Sequence, residues 1–145
     1  HYIDELRDFL SWRRGDAILL GEVNEPPDRL IQYFGDGDRM QMLFNFWGNQ
    51  HLMLALAQEK ATPLLEALNE LPSVPKTGQW ANFIRNHDEL SLDQLSTSQR
   101  DEIAAAFAPD RDRMWIFDRG IRRRFAPLVK NDSRRLRLVY SLLLT

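Results

Sequence analysis

Hydrophobic and polar positions change their period several times along the chain, and each change marks an element. In the opening HYIDELRDFLSWRRGD, Ile3, Leu6 and Leu10 recur at helical spacing and Gly15 supplies a stop. AILLGEV (17–23) is instead a continuous apolar run between Gly15 and Pro26-Pro27, the pattern of a strand buried on both faces. DRLIQYF (28–34) predicts a short helix, and GDGD (35–38) a turn. MQMLFNF (40–46) predicts a second strand, followed by a helix around HLMLALA (51–57). Thr62 and Pro63 start another helix, with Leu64, Leu65, Leu68 and Leu71 packing behind them. After the loop LPSVPKTG (71–78) comes a third strand, QWANFIR (79–85). Ser98 then caps a helix carrying Ile103, Ala104 and Phe107, and Asp132 or Ser133 caps a last one with Leu136, Val139, Tyr140 and Leu143 on one face.

Strand followed by helix three times over predicts the α/β class, with a parallel sheet joined by right-handed crossovers. No internal repeat or low-complexity tract interrupts it. No capping residue precedes the first helix, and the chain stops at LLLT without a glycine or polar tail. The expectation is a piece of a longer protein, residues 1–145 forming part of one domain.

Composition narrows the classes. A chain of 145 residues with 43% hydrophobic content can bury an ordinary core. Lys and Arg total 19 against 21 acidic residues, a net charge of −2, so no overall basic field recruits nucleic acid. The basic run RGIRRRFAPLVKNDSRRLR (119–137) follows an acidic neighbour (88–112), and salt bridging between them is the expected account. With no cysteine, thiol catalysis, disulfides and thiolate metal sites are excluded. No apolar run approaches the ~18 residues of a membrane span and the N-terminus lacks a signal-peptide pattern, so a soluble, cytoplasmic protein without a membrane partner is expected.

Candidate chemistry gathers where an α/β sheet places it, at the carboxyl ends of the strands. These read Gly21-Glu22-Val23-Asn24-Glu25, Asn45-Phe46-Trp47 and Asn86-His87-Asp88-Glu89. Carboxylates beside amides and aromatics suit a sugar-processing site, where one acid protonates a leaving oxygen and another stabilises positive charge. Taken alone, Asn-His-Asp in FIRNHDEL (83–90) reads equally well as a turn, and Glu22 as a surface carboxylate. GDGD resembles the start of a calcium loop but has no glutamate at the twelfth loop position, so it reads as a tight turn and no metal or cofactor is expected. His51 reads as structural. The four tryptophans read as core, with Trp47 placed to stack on a sugar.

Three stretches, LLGEVNEPPDRLIQYFGDGD, QWANFIRNHDELSLDQL and DRGIRRRFAPLVKNDSRRLRLVYSLLL, together resemble the second half of an α-amylase superfamily barrel, and within it the trehalose synthase branch. The resemblance implies a partial TIM (β/α)8 barrel, strands five to seven with their helices, preceded by the end of helix four. It implies that Glu22 is the general acid and base and that Asp88 stabilises the oxocarbenium-like transition state. His87 and Asn86 would bind the sugar, with Glu89 and Asp93 shaping the pocket; the branch usually has Glu where Asp93 stands. The substrate implied is an α-glucoside disaccharide, maltose and trehalose being interconverted by intramolecular transfer. The family's nucleophile, an aspartate on strand four, and its calcium-binding elements fall in earlier segments, so the isolated chain is expected to be inactive. Hydrolysis of α-glucosides is the alternative activity. A non-catalytic folding or interaction module, self-associating through exposed strand edges, is the alternative of another class.

Overall fold

The computed structural model describes residues 2 to 144. The predicted parallel sheet is present, in the order β1 (Leu20–Gly21), β2 (Met42–Phe44), β3 (Gln79–Ala81). Leu20 lies opposite Met42, and Leu43 opposite Trp80. α2 (Pro27–Phe34) connects the first two strands, while α3 (Phe46–Gln58) and α4 (Thr62–Glu70) connect the second two. Pro27 occupies the first helical position of α2, where its missing N–H costs no hydrogen bond. The helix lays Leu30 and Phe34 on Leu43, all three fully buried, and Phe34 meets Trp80 edge to face at 5.2 Å. Gly35 and Gly37 then adopt positive φ (58° and 97°), so GDGD is the tight turn expected of it.

The strands are shorter than the apolar runs that announced them. AILLGEV is not buried on both faces: only Leu20 and Gly21 pair, with β2 alone, and Ile18 and Leu20 are 58% and 45% exposed. The run was apolar enough for a central strand, yet it forms an edge here. QWANFIR likewise stops pairing at Ala81.

A second sheet, unforeseen, is built from two-residue strands: β4 (Leu90–Ser91), β5 (Trp115–Ile116) and β6 (Gly120–Ile121), antiparallel in the order β4-β6-β5. Two residues are too few to show a period. Between its strands run α5 (Thr97–Phe107) and α6 (Arg111–Met114), and after it α7 (Phe125–Leu128) and α8 (Ser133–Leu144). α5 begins two residues earlier than expected: Ser96, not Ser98, is the cap, in a reciprocal capping box with Gln99. Leu92, Ile103, Ile121 and Val139, all fully buried, join α5, the second sheet and α8 in the larger core, into which Met53 and Leu54 of α3 also pack.

α1 (Tyr2–Arg13) half-buries Ile3, Leu6 and Leu10 as its spacing predicts, and Arg39 anchors it through Asp4 at 2.8 Å. Several expected core residues face outward instead: Trp12 is 76% exposed, and Leu65, Leu68 and Tyr140 are exposed as well. In α4 the residues that reach the interior are Pro63 and Ala67, small enough for α3 and α4 to approach closely. Among the described residues, no helix is long and apolar enough to cross a membrane.

Candidate active site

The carboxyl end of the parallel sheet assembles two chain segments, and the sequence shows why each runs where it does. At the end of β1, a side chain on Gly21 would place its first carbon 2.6 Å from the Leu43 side chain; the glycine lets β1 lie close on β2 and launches Glu22 from there. The third-strand segment is held by the start of α3. Asn45 caps that helix by accepting from the Gly48 N–H at 2.8 Å, and its amide donates to Asn82 at 3.0 Å. One turn on, Asn49 donates to the carbonyls of Phe83 (2.8 Å) and Ile84 (3.0 Å). Phe83 also packs edge to face against Phe44 and Phe46, at 5.2 and 4.9 Å. FIRNHDEL is therefore irregular backbone tied down on one side by amides and on the other by aromatic rings.

Arg85 lies beneath the tip, with its guanidinium within 3.4 Å of the carbonyls of Asn86 and Arg122. Burial, and then the charge of Arg124, push its pKa below the ordinary arginine value, against the pull of Glu89 and Asp88. Arg124 donates to the same Asn86 carbonyl at 2.8 Å.

From this base Asn86 donates its amide to Glu22 Oε1 at 2.8 Å, and its own oxygen accepts from the Asp88 N–H at 3.2 Å. His87 Nε2 stands 3.9 Å from Glu22 Oε2 and 3.5 Å from Asp88 Oδ2. One ligating atom from each of Glu22, His87 and Asp88 lies within 4.8 Å of the others. Two carboxylates and an imidazole at these distances could bracket a cation. They could equally hold sugar hydroxyls, and all three are exposed to an arriving ligand.

Glu22, Asn86, Asp88, Glu89 and Asp93 line one open pocket of about 300 Å³, joined by Phe46 and Arg119. His87 is not among the lining residues, although it touches two of them. Glu89 is 14% exposed and lies 3.4 Å from Arg119 Nε, and its stem packs into the space left by the missing side chain of Gly120. Asp93 is tied into the protein: its Oδ1 accepts from Asn24 (2.8 Å), from Ser91 (2.9 Å) and from Gln50 (3.4 Å).

Some residues here were missed in the sequence. Asn45, Asn49 and Gln50 are buried amides in a helix otherwise apolar around its circumference, and that mismatch was a readable signal. Arg119 carried none, since its place depends on a hairpin too short to detect.

Trp47 does not reach the pocket. Its ring lies 4.4 Å from that of His51 beside a separate cleft of about 550 Å³ lined by α3 and α4, so the expected sugar platform is not there. His51 is structural as expected, with Nδ1 2.9 Å from the Trp47 carbonyl. Of the pairing expected between the basic run and its acidic neighbour, Arg119–Glu89 is formed; Arg135 turns instead to Glu59 at 2.8 Å.

No family model matches the chain. Individual relatives do. Over 144 residues, 99% of the chain, it is 42% identical to a trehalose synthase of Thermus thermophilus, covering 15% of that protein. Over 132 residues, 88% of the chain, it is 40% identical to a trehalose synthase/amylase of Mycolicibacterium smegmatis, covering 22% of it. A trehalose synthase of Pimelobacter sp. matches at 34% over 99% of the chain and 26% of its own length. The chain thus spans between about a seventh and a quarter of the length of these curated relatives. The resemblance read from the sequence holds: along nearly all of its residues this chain is homologous to a segment of the trehalose synthases.

Proposed function

We propose that these residues are part of a retaining α-glucosyl-transferring site that interconverts maltose and trehalose. The observation that carries the proposal is the convergence of Glu22, His87 and Asp88 within 4.8 Å in a chain 42% identical to a trehalose synthase. In this reading the parallel strands are the fifth to seventh of a (β/α)8 barrel, whose active sites gather at this end of the strands.

Glu22 donates a proton to the glycosidic oxygen of the bound disaccharide, and then, as a carboxylate, takes the proton of the incoming hydroxyl. The 2.8 Å bond from Asn86 orients its carboxyl group. Asp88 stabilises the positive charge that develops on the ring and holds the sugar hydroxyls, and His87 adds a further hydrogen bond to them. The nucleophile is assigned to the aspartate that the family supplies ahead of Glu22. Glu89 and Asp93 line the pocket where the leaving glucose would turn before it is captured again. Asp93, already bonded to three side chains, would shape that wall more than it contacts sugar.

A second reading, hydrolysis of α-glucosides, is favoured by the name of the mycobacterial relative, a trehalose synthase/amylase. The two differ in whether water or the departing glucose reaches the glucosyl group first. The test is to incubate the full-length protein carrying these residues with maltose and to quantify trehalose and free glucose. Trehalose in excess supports transfer, and glucose alone supports hydrolysis. Glu22→Gln is expected to lower both by at least ~10³-fold, and near-normal turnover by that variant would sink the assignment. Exposed Ile18, Leu20 and Leu65 support self-association of the isolated residues, and a monodisperse 17.0 kDa species in light scattering would count against it.

A further inference from the structure

Gln50 is fully buried in α3, and its side chain reaches both segments that carry the proposed acids. Its Oε1 accepts from the backbone N–H of Gln94 at 3.0 Å. Its Nε2 donates to Asn24 Oδ1 at 3.2 Å and faces Asp93 Oδ1 at 3.4 Å. A backbone N–H can only donate and a carboxylate can only accept, so one orientation of the amide satisfies all three partners. Asn24 closes the ring by donating to Asp93 at 2.8 Å and to Ser91 at 3.2 Å, and Gln94 reaches back to the Asn24 carbonyl at 3.3 Å.

These partners are not scattered. Asn24 follows Glu22 directly after Val23, and Asp93 and Gln94 follow Asp88 on the far side of β4. Nothing in the parallel sheet itself joins these two segments, since β1 and β3 are on opposite sides of β2 and do not pair. We infer that Gln50 is a positioning residue which sets the separation of Glu22 and Asp88, by bonding through one buried amide to the chain just beyond each of them. The inference rests on the reading of those two carboxylates as the acid/base and the charge-stabilising group. Its leverage comes from burial: a buried amide with three partners cannot relax without stranding them, and misplacing a reacting group by about 1 Å costs on the order of 10²-fold in rate.

The experiment replaces Gln50 in the full-length protein by Met, which keeps the length and removes the hydrogen bonds, and by Glu, which keeps the acceptor for Gln94 and turns the donor into an acceptor facing Asn24 and Asp93. Kinetics on maltose, corrected for the folded fraction, are read with the pH dependence of kcat. Gln50→Met is expected to lower kcat by about 10- to 100-fold with KM changed by less than ~3-fold and with the limbs of the pH profile displaced, Gln50→Glu more so. A merely structural glutamine would lower Tm and leave kcat per folded molecule and its pH profile at wild type; that result overturns the inference. Crystal structures of wild type and of whichever variant folds supply a readout that needs no turnover. Glu22 and Asp88 moved apart by an ångström or more supports positioning, and unchanged spacing refutes it. A wild-type protein inactive on maltose would refute the functional reading instead, and the structural comparison would still decide the role of Gln50.

Discussion

The two proposed acids stand side by side on unequal scaffolds. Glu22 follows a two-residue edge strand in which Leu20 is about half exposed, and Ile18 just before it more so. Asp88 follows a segment clasped by the amides of Asn45 and Asn49 and by the rings of Phe44 and Phe46, and precedes Leu90, Leu92 and Leu95, all in the core. One acid is placed by a rigid foundation, while the other is placed largely by what reaches across to it: the amide of Asn86, and Asn24 with its partners. Precision at a site therefore need not come from the strand that carries the residue. A well-anchored neighbour can lend it.

The strongest way to break this contrast is to cut into each foundation. Leu92 is fully buried, so Leu92→Ala is expected to destabilise by about 2–5 kcal/mol through lost burial and a residual cavity. Leu20→Ala, at a half-exposed position, should cost under ~1 kcal/mol. Urea denaturation of both variants measures the gap, and equal costs would erase the distinction. A smaller effect is expected from Asn49→Ala, which leaves the Phe83 and Ile84 carbonyls without their partner at a cost of about 1–3 kcal/mol. Hydrogen exchange should accelerate over residues 82–88 ahead of residues 20–25; uniform acceleration would mean that α3 does not hold the Asp88 segment selectively. The smallest effect has the opposite sign. Phe117 and Asp118 form the β5–β6 turn with φ of 56° and 53°, a conformation disfavoured for side-chain-bearing residues. Asp118→Gly is expected to stabilise by up to about 1 kcal/mol, raising Tm and widening the contrast. A lowered Tm would show that Asp118 contributes there through its side chain.

Legibility followed the range of the forces involved. α2, α4 and the GDGD turn were readable because Pro27, Pro63, Gly35 and Gly37 impose their conformations locally. That Glu22, Asn86 and Asp88 gather at one end of the sheet was readable because strand ends in a parallel sheet converge, and the structure brings them together, while their roles came from the resemblance alone. The second sheet was not, since Leu90 and Ile121 find each other over a long separation and through strands of two residues. Apolar character likewise could not say which face of β1 would be covered: Ile18 and Leu20 have the side chains of a central strand and occupy an edge. The task of Gln50 was hidden for a related reason. Asn49 and Gln50 stand out as polar in an apolar helix, but what Gln50 serves shows only once its partners, forty-four residues further on in one case, are known.

Asn86 carries a consequence of a chemical rather than a mechanical kind. Its carboxamide presents an N–H to Glu22 and an oxygen to the Asp88 amide, two tasks that need the two ends of one uncharged group to differ. Side-chain amides are also among the first groups a protein loses with heat and age. Hydrolysis at this one position would replace a donor by an anion 2.8 Å from Glu22, with a second carboxylate at Asp88 close by. Deamidation here, read as a mass gain of about one dalton on the peptide that carries Asn86, is therefore expected to cost the site its donor to Glu22 without touching the core.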